Sequence, residues 1–157
     1  GLPARPIGSV NGVMIGAMLC CEDMYPEIAR SLVDDGADVL ICLANGMSFN
    51  SQAAWHQHFR IGRFRALENN RYLARCSSHG VTCLIAPTGE ILHSLPCGEE
   101  LDLPMTIPIS DRSTTMFHRH GDTLTCFSQT VTIGLVLWSL LKGIPLRRIR
   151  QANVELL

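Results

Sequence analysis

Two short apolar runs set the strongest limit on what this chain can fold into. They are Val13–Leu19 and Val39–Ala44, and neither contains a charged residue. Strands that are apolar on both faces are typical of parallel sheets, in which other layers cover each face. The segment 27–35 between them has the apolar spacing of a short helix, and Gly36 is placed to end it. The pattern predicts an α/β fold.

Further elements follow along the chain. We predict one longer helix with Phe59, Gly62 and Ala66 on its inner face. The predicted ranges are helix 54–70 and strands 72–76, 81–86, 90–95 and 105–110. Segments rich in Pro, Gly or polar residues are predicted to be loops, namely 1–11, 96–104 and 111–122.

Composition limits the class of protein. The chain has 157 residues, 46% of them apolar, which is enough for the core of one domain. Its formal net charge is −1, so nothing indicates binding to nucleic acid. Seven cysteines, several in apolar runs, favour free thiols over a disulfide framework. Because the chain starts at Gly1, shortly before its first apolar run, we expect it to be a fragment of a longer protein.

A thiol-bearing turn follows the first apolar run. Cys20, Cys21 and Glu22 come directly after it, and Pro26 stands where a helix can begin. A strand, a turn and a helix in this order can present a nucleophile, and the helix N-terminus favours the thiolate. The residues leave a second interpretation open, which is a strand that ends in ordinary buried cysteines.

The same turn resembles a known motif. Cys20-x-Glu22 followed by Tyr25-Pro26-Glu27 is similar to the nucleophile motif of the nitrilase (carbon–nitrogen hydrolase) superfamily, and within it to the apolipoprotein N-acyltransferase family. The resemblance implies Cys20 as the nucleophile and Glu22 as a supporting acid. It also implies that residues 1–123 form the C-terminal part of a nitrilase-like catalytic domain with α-β-β-α layers.

Later segments extend the resemblance to the acyltransferases. Asn45, Ser48 and Phe49 fall where that family has a loop lining the acyl pocket, with Ser48 in place of the usual Trp. With Cys21, which follows the nucleophile, they are the implied substrate-binding residues. The pairs Thr114-Thr115 and Gly121-Asp122 resemble the segment that precedes the last membrane helix of the family.

The resemblance implies a two-step acyl transfer without a cofactor. An acyl chain would pass from a phospholipid to Cys20 as a thioester, and then to the N-terminal amine of a lipid-modified cysteine on an apolipoprotein. The family also uses a Glu base and a Lys oxyanion donor upstream of the cysteine, but no Glu or Lys precedes Cys20 here and the only lysine is Lys142. We therefore expect the isolated chain to be inactive. Two alternatives stay open, a nitrilase-type amidohydrolase and a degenerate non-catalytic membrane domain; Cys21 and Ser48 favour the second.

The C-terminal region has a different character. Residues 124–141 carry no charge and, as a helix, would extend roughly 27 Å, which is close to the hydrocarbon thickness of a bilayer. The basic residues that follow predict a cytoplasmic tail over 142–157 and a catalytic domain on the periplasmic side of a bacterial inner membrane. A buried amphipathic helix at a dimer interface is the alternative.

Some polar residues could form a metal or binding site, but a surface or structural role is the simpler prediction for them. His56 and His58 are two positions apart on a predicted helix and would point about 200° apart, so we predict no metal site there. His118 is expected to be a solvated loop residue. Arg65 and Glu68 are predicted to form a structural pair inside the layer.

Overall fold

The computed structural model describes residues 8–45, 51–95, 104–109 and 111–142. The chain divides into two compact units, Gly1–Arg119 and His120–Leu157. The first unit contains one sheet of six strands whose spatial order is their sequence order. The strands are β1 Gly8–Val10, β2 Val13–Leu19, β3 Val39–Ala44, β4 Tyr72–Ser77, β5 Thr82–Ile85 and β6 Ile91–Leu95.

The three central strands are parallel and the outer ones are antiparallel. β2 pairs with β3 and β3 with β4 in parallel, whereas β1, β5 and β6 join as antiparallel hairpins. Each parallel connection contains a helix, α1 (Pro26–Asp34) after β2 and α2 (Gln52–Asn69) after β3. This arrangement confirms the predicted α/β fold and its parallel core.

Both helices cover the same face of the sheet and contact each other. On that face, a Cβ added to Gly16 would lie 3.0 Å from the Cβ of Leu32 in α1, so a glycine permits the close approach. Met18, Cys42 and Arg75 form one row on this face across β2, β3 and β4. All three are buried, and the first two lie in the hydrophobic core.

The opposite face of the sheet is more open. Leu19, Leu43 and Cys76 form a row there, and the two leucines are 60% and 51% exposed. In the described part of the chain one sheet is present, and helices α1 and α2 lie on one of its faces. The predicted α-β-β-α layering is thus represented here by one sheet layer and one helix layer.

Two other local predictions, for the segments 105–110 and 1–11, differ from the structure. The strand over 105–110 is wrong for 105–109, which are not in a strand, while Ser110 lies outside the described residues. The N-terminal loop instead contains β1, joined to β2 by Asn11 and Gly12 with φ of 52° and 82°. Asn-Gly is a favoured hairpin turn because both residues tolerate positive φ.

The segment after residue 110 is held at the amino edge of the central strands. Arg112 donates to both carboxylate oxygens of Asp38, at 2.6 and 2.9 Å. Asp38 also accepts from the backbone N–H of Met14 at 2.9 Å. Arg71 donates to the carbonyl oxygens of Arg112 and Ser113, at 3.2 and 3.0 Å. The start of the predicted irregular connection, at Arg112 and Ser113, is therefore bonded to the rest of the first unit.

His118 corrects another prediction. It lies in a short helix, α3 (Met116–His120), and is buried rather than solvated. Its Nδ1 is hydrogen-bonded to the Oδ1 of Asn69 at 2.7 Å, and its Nε2 lies 3.0 Å from a carboxylate oxygen of Asp34. These two contacts hold the imidazole ring against the rest of the first unit, so it is not solvated as predicted.

The second unit contains α4, Thr123–Leu141, which confirms the predicted helix. Among the described residues, however, no helix has both the length and the apolar character needed to cross a membrane. The predicted span over 124–141 is therefore not confirmed. The basic residues that suggested an orientation, Arg147, Arg148 and Arg150, lie outside the described residues.

Candidate active site

The chain turns sharply where β2 ends. Cys20–Met24 forms a 3₁₀ turn, here called the elbow turn, and Pro26 then begins α1. Cys20 has φ of 50°, in the left-handed region that residues with a Cβ rarely adopt. Such strain costs about 1–3 kcal/mol and is concentrated at functional sites. The thiol-bearing turn that the sequence predicts is therefore present, and its first residue is the strained one.

Glu22 closes the elbow turn. Its Oε2 accepts a hydrogen bond from the backbone N–H of Leu19 at 2.7 Å, and its carbonyl accepts from the N–H of Tyr25 at 3.1 Å. The carboxylate is thus bound to the last residue of the strand. This geometry gives Glu22 a role in holding the turn that carries Cys20.

The two adjacent thiols lie together at the surface. The Sγ atoms of Cys20 and Cys21 are 3.8 Å apart, and Cys20 also donates weakly to the carbonyl of Asn45 at 3.9 Å. Cys20 is half-buried, whereas Cys21 is exposed. Partial desolvation and the hydrogen bond with Cys20 raise the pKa of Cys21. Cys21 is therefore kept as the neutral thiol.

Three central strands bring their last residues to the same edge. Cys20 follows β2, Asn45 follows β3 and Ser78 follows β4, so the carboxyl ends of parallel strands meet here. The hydroxyl of Ser78 donates to the Oδ1 of Asn45 at 3.0 Å. The structure therefore brings together Cys20, Cys21, Glu22 and Asn45, whereas Ser48 and Phe49 lie outside the described residues.

A buried polar cluster lies directly beneath the elbow turn. Asp23 is fully buried, and its Oδ1 lies 2.6 Å from the Nε2 of His58 in α2. Its Oδ2 accepts from Arg75 of β4 and, at 3.3 Å, from the thiol of Cys42 in β3. We call these four residues, Asp23, Cys42, His58 and Arg75, the elbow cluster.

The hydrogen bonds fix where the protons of the elbow cluster lie. Arg75 can only donate, so the Nδ1 of His58, 3.4 Å from its Nη2, is the acceptor and Nε2 carries the proton given to Asp23. Burial and the nearby Asp23 carboxylate raise the pKa of Cys42 far above its ordinary value, so that thiol stays protonated. The cluster consequently holds one carboxylate with donors from three separate elements.

Gly62 allows α2 to approach the cluster. A Cβ at this position would overlap the carboxylate of Asp23 and lie 3.1 Å from the Nη1 of Arg75. A glycine inside a helix costs about 1 kcal/mol relative to alanine, so its presence here reflects this close approach.

The elbow cluster was missed by reasoning from sequence. His58 was expected to lie on the surface of its helix or in a loop rather than to bind a metal, but it is buried and hydrogen-bonded to Asp23. A signal was nevertheless available, since Arg75 is a charged residue inside an otherwise apolar strand. The predicted pair of Arg65 and Glu68 is confirmed, at 2.9 Å.

Comparison with known proteins places this site in a family. Residues 3–111, more than half of the chain, match the carbon-nitrogen hydrolase family. The chain belongs to that family. The elbow turn and the strands around it lie within the matched region.

Relatives with similar sequences carry a narrower name. The apolipoprotein N-acyltransferase of Thermotoga maritima is 30% identical over 129 residues, which are 82% of this chain and 25% of that protein. That of Borreliella burgdorferi is 30% identical over 105 residues, 67% of this chain and 20% of that protein. The chain thus spans about a quarter or less of the length of these relatives.

Solved structures share the fold. A carbon-nitrogen hydrolase from Helicobacter pylori G27 has a TM-score of 0.54 at 23% identity, covering 64% of this chain and 42% of that one. An amidase from Nesterenkonia sp. AN1, described with acrylamide added at its active site cysteine, has a TM-score of 0.51 at 20% identity, covering 66% of this chain and 44% of that one. At these identities the likeness establishes the fold alone.

Proposed function

We propose that this chain is the nucleophile-bearing part of an apolipoprotein N-acyltransferase, with Cys20 as the thiol that carries the acyl chain. The observation that supports this most is the strained, half-buried Cys20 at the carboxyl edge of the parallel strands. Relatives of that name match 67% and 82% of the chain. The wider family allows acyl transfer or hydrolysis, and the names of these relatives favour transfer.

The proposed reaction has two steps. A general base takes the proton of the Cys20 thiol, and the thiolate attacks the ester carbonyl of a phospholipid. The tetrahedral intermediate collapses to a thioester, and the lysophospholipid leaves as an alcohol after taking that proton from the base. The α-amine of a lipid-modified N-terminal cysteine on an apolipoprotein then attacks the thioester. An amide forms, and Cys20 regains its proton as a thiol.

Neighbouring residues would position the nucleophile and the substrate. Glu22 holds the elbow turn through the Leu19 N–H, and the elbow cluster supports the turn from below. Asn45 and Cys21 lie beside the thiol and are proposed to contact the acyl group, together with Ser48 and Phe49, which follow Asn45 in the sequence.

Two catalytic groups would come from outside this chain. The residues before Cys20 include no Glu or Lys, so the general base and the oxyanion donor of the family have no counterpart there. A base and an oxyanion donor each contribute on the order of 10²–10⁴-fold in rate. The isolated chain is therefore proposed to accept an activated acyl group but to turn over phospholipid negligibly.

The proposed substrates are membrane components, so we propose that the protein works at the bacterial inner membrane with its site on the periplasmic side. Helix α4 supports membrane association because it exposes many large apolar side chains. These include Phe127, Ile133, Leu135, Leu137, Trp138 and Leu140. Exposed apolar surface of this extent marks a protein or membrane contact.

Acylation of the thiol tests the proposed nucleophile. The chain is incubated with p-nitrophenyl esters of palmitate and acetate in detergent micelles, and the acylated residue is located by mass spectrometry. We expect a palmitoyl thioester on Cys20 that is lost in Cys20→Ala and kept in Cys126→Ala, in which an exposed cysteine of α4 is removed. An acyl group on Cys21 instead would contradict the assignment. Preference for acetate would favour a small-amide hydrolase.

Membrane association has its own test. The chain has two tryptophans, Trp55 and Trp138, so Trp55→Phe leaves a single tryptophan, in α4, whose emission is excited selectively above the tyrosine absorption band. With vesicles of phosphatidylethanolamine and phosphatidylglycerol, we expect its emission to shift to the blue. In Leu135→Arg this shift should shrink, because an arginine in apolar lipid costs about 2.5–3.5 kcal/mol. Unchanged emission in both proteins would contradict the proposal.

A further inference from the structure

Cys20 and Cys21 form a pair of accessible thiols. Their sulfurs lie 3.8 Å apart, both are free, and Cys21 is exposed to solvent. Adjacent cysteines rarely have a structural reason to face each other, because neighbouring side chains in an extended strand point to opposite faces. The elbow turn removes that alternation and brings both sulfurs to the same side.

The nearest buried thiol is not available to either of them. Cys42 is completely buried, and its thiol donates to a carboxylate oxygen of Asp23 at 3.3 Å and weakly to the carbonyl oxygen of Cys20 at 3.9 Å. Its raised pKa keeps it protonated and unreactive. A reagent that reaches the elbow turn from solvent therefore meets a dithiol made of Cys20 and Cys21.

We infer that Cys20 and Cys21 are a modification site for hydroperoxides, at which a reversible disulfide forms between the two neighbouring residues. The sulfurs must approach from 3.8 Å to about 2.05 Å, which requires rotation of both side chains and distortion of the peptide that joins the two residues in an eight-membered ring. Neighbouring Cα atoms are about 3.8 Å apart, less than in most disulfides. The bond would consequently be strained and easily reduced, as expected for a switch and not for a structural link.

The chemistry needs one hydroperoxide and releases water. The Cys20 thiolate attacks the distal peroxide oxygen, the O–O bond breaks, and after proton transfer the products are a sulfenic acid and an alcohol, or water when the oxidant is hydrogen peroxide. The sulfur of Cys21 then attacks the Cys20 sulfur and hydroxide leaves, taking the Cys21 proton as water. Both thiols are oxidised by two electrons in total, and the peroxide is reduced by two.

The consequence for activity rests on the proposed function of Cys20. A disulfide would remove the nucleophile and protect it from irreversible oxidation to the sulfinic acid, since the sulfenic acid is consumed by its neighbour. Bond formation itself does not depend on acyl transfer. A chemical readout therefore separates failure of this inference from failure of the proposed function.

The test oxidises the folded chain with hydrogen peroxide, then blocks free thiols with iodoacetamide and digests with trypsin. The peptide that ends at Arg30 contains Cys20 and Cys21 and no other cysteine. We expect this peptide to lose the mass of two hydrogens and to take up no iodoacetamide. After dithiothreitol, alkylation of both cysteines should return completely.

Two variants complete the test. In Cys21→Ser, Cys20 should proceed to the sulfinic acid, and dithiothreitol should no longer restore its alkylation. Cys126→Ser, which removes an exposed cysteine of α4, should behave as the unmodified chain does. The inference is overturned if the oxidised unmodified chain carries a sulfinic Cys20 beside an alkylated Cys21, or if either cysteine is linked instead to a different cysteine.

Discussion

Two buried aspartates stand at opposite ends of the parallel strands, and their surroundings differ. Asp38 lies at the amino edge and is paired with Arg112, whose side chain is 66% exposed. Asp23 lies beneath the elbow turn at the carboxyl edge, and all its partners are buried. The first carboxylate fastens a surface segment, and the second holds the backbone that carries the candidate nucleophile.

A buried charge therefore has different consequences at the two edges of the sheet. A pair with one partner in water is weakened by solvent screening and contributes little to stability. A fully buried ion pair cannot lose one partner without leaving an uncompensated charge in the protein interior. The elbow cluster is therefore the more sensitive region, and its disturbance should reach Cys20.

The largest expected effect comes from Asp23→Asn. Asn leaves the buried Arg75 without its counter-charge, so we expect the free energy of unfolding in urea to fall by about 3–5 kcal/mol. We also expect slower alkylation of Cys20 by iodoacetamide, measured by mass spectrometry on the folded fraction. In the matched variant Asp38→Asn, alkylation of Cys20 should be unchanged. Equal rates of Cys20 alkylation in the two variants would show that Asp23 affects Cys20 no more than Asp38 does.

The second effect tests packing without removing a charge. In Gly62→Ala the new methyl group overlaps the Asp23 carboxylate and pushes it from its partners. Overpacking of this kind costs about 1–3 kcal/mol in unfolding free energy. The control is Gly134→Ala in α4, where a Cβ meets nothing within 4 Å and the better helix propensity of alanine should leave stability unchanged or higher. If both variants have the same thermal midpoint, Gly62 does not make the close approach described.

The smallest effect concerns the amino edge and depends on pH. Burial by itself raises the pKa of Asp38, but hydrogen bonds from Arg112 and the Met14 N–H outweigh it and lower the pKa below its ordinary value. The resulting stabilisation is present above the pKa of the unfolded chain, about 3.9, and is lost as the pH falls through the folded value.

Removing Arg112 should therefore make the chain less resistant to unfolding by acid. In Arg112→Ala we expect the midpoint of acid unfolding, followed by circular dichroism, to move to higher pH. At neutral pH the loss of stability should be small because the Arg112 side chain is mostly exposed and its charge is screened by solvent. A midpoint that does not move would show that Asp38 is held by other groups.

Local sequence pattern determined the main elements of this protein. The apolar runs gave β2 and β3 with their observed ends, and Gly36 lies just past α1 with φ of 101°, as a helix-ending glycine does. The residue order also predicted a thiol-bearing turn after β2, whereas the roles of Cys20 and Glu22 came from the resemblance to the nitrilase motif and stay predictions. These features depend on the secondary-structure preferences of residues that are close in sequence, so they can be predicted without knowledge of the tertiary structure.

The tertiary structure alone decided the polar partners. Asp23 and Arg75 are 52 positions apart, and they meet because β2, β3 and β4 align Met18, Cys42 and Arg75 in one row beneath the elbow turn. A histidine such as His118 is likewise buried or solvated according to what packs against it. Strand register and helix packing set such contacts over long distances, whereas a local pattern records only which side chains are apolar.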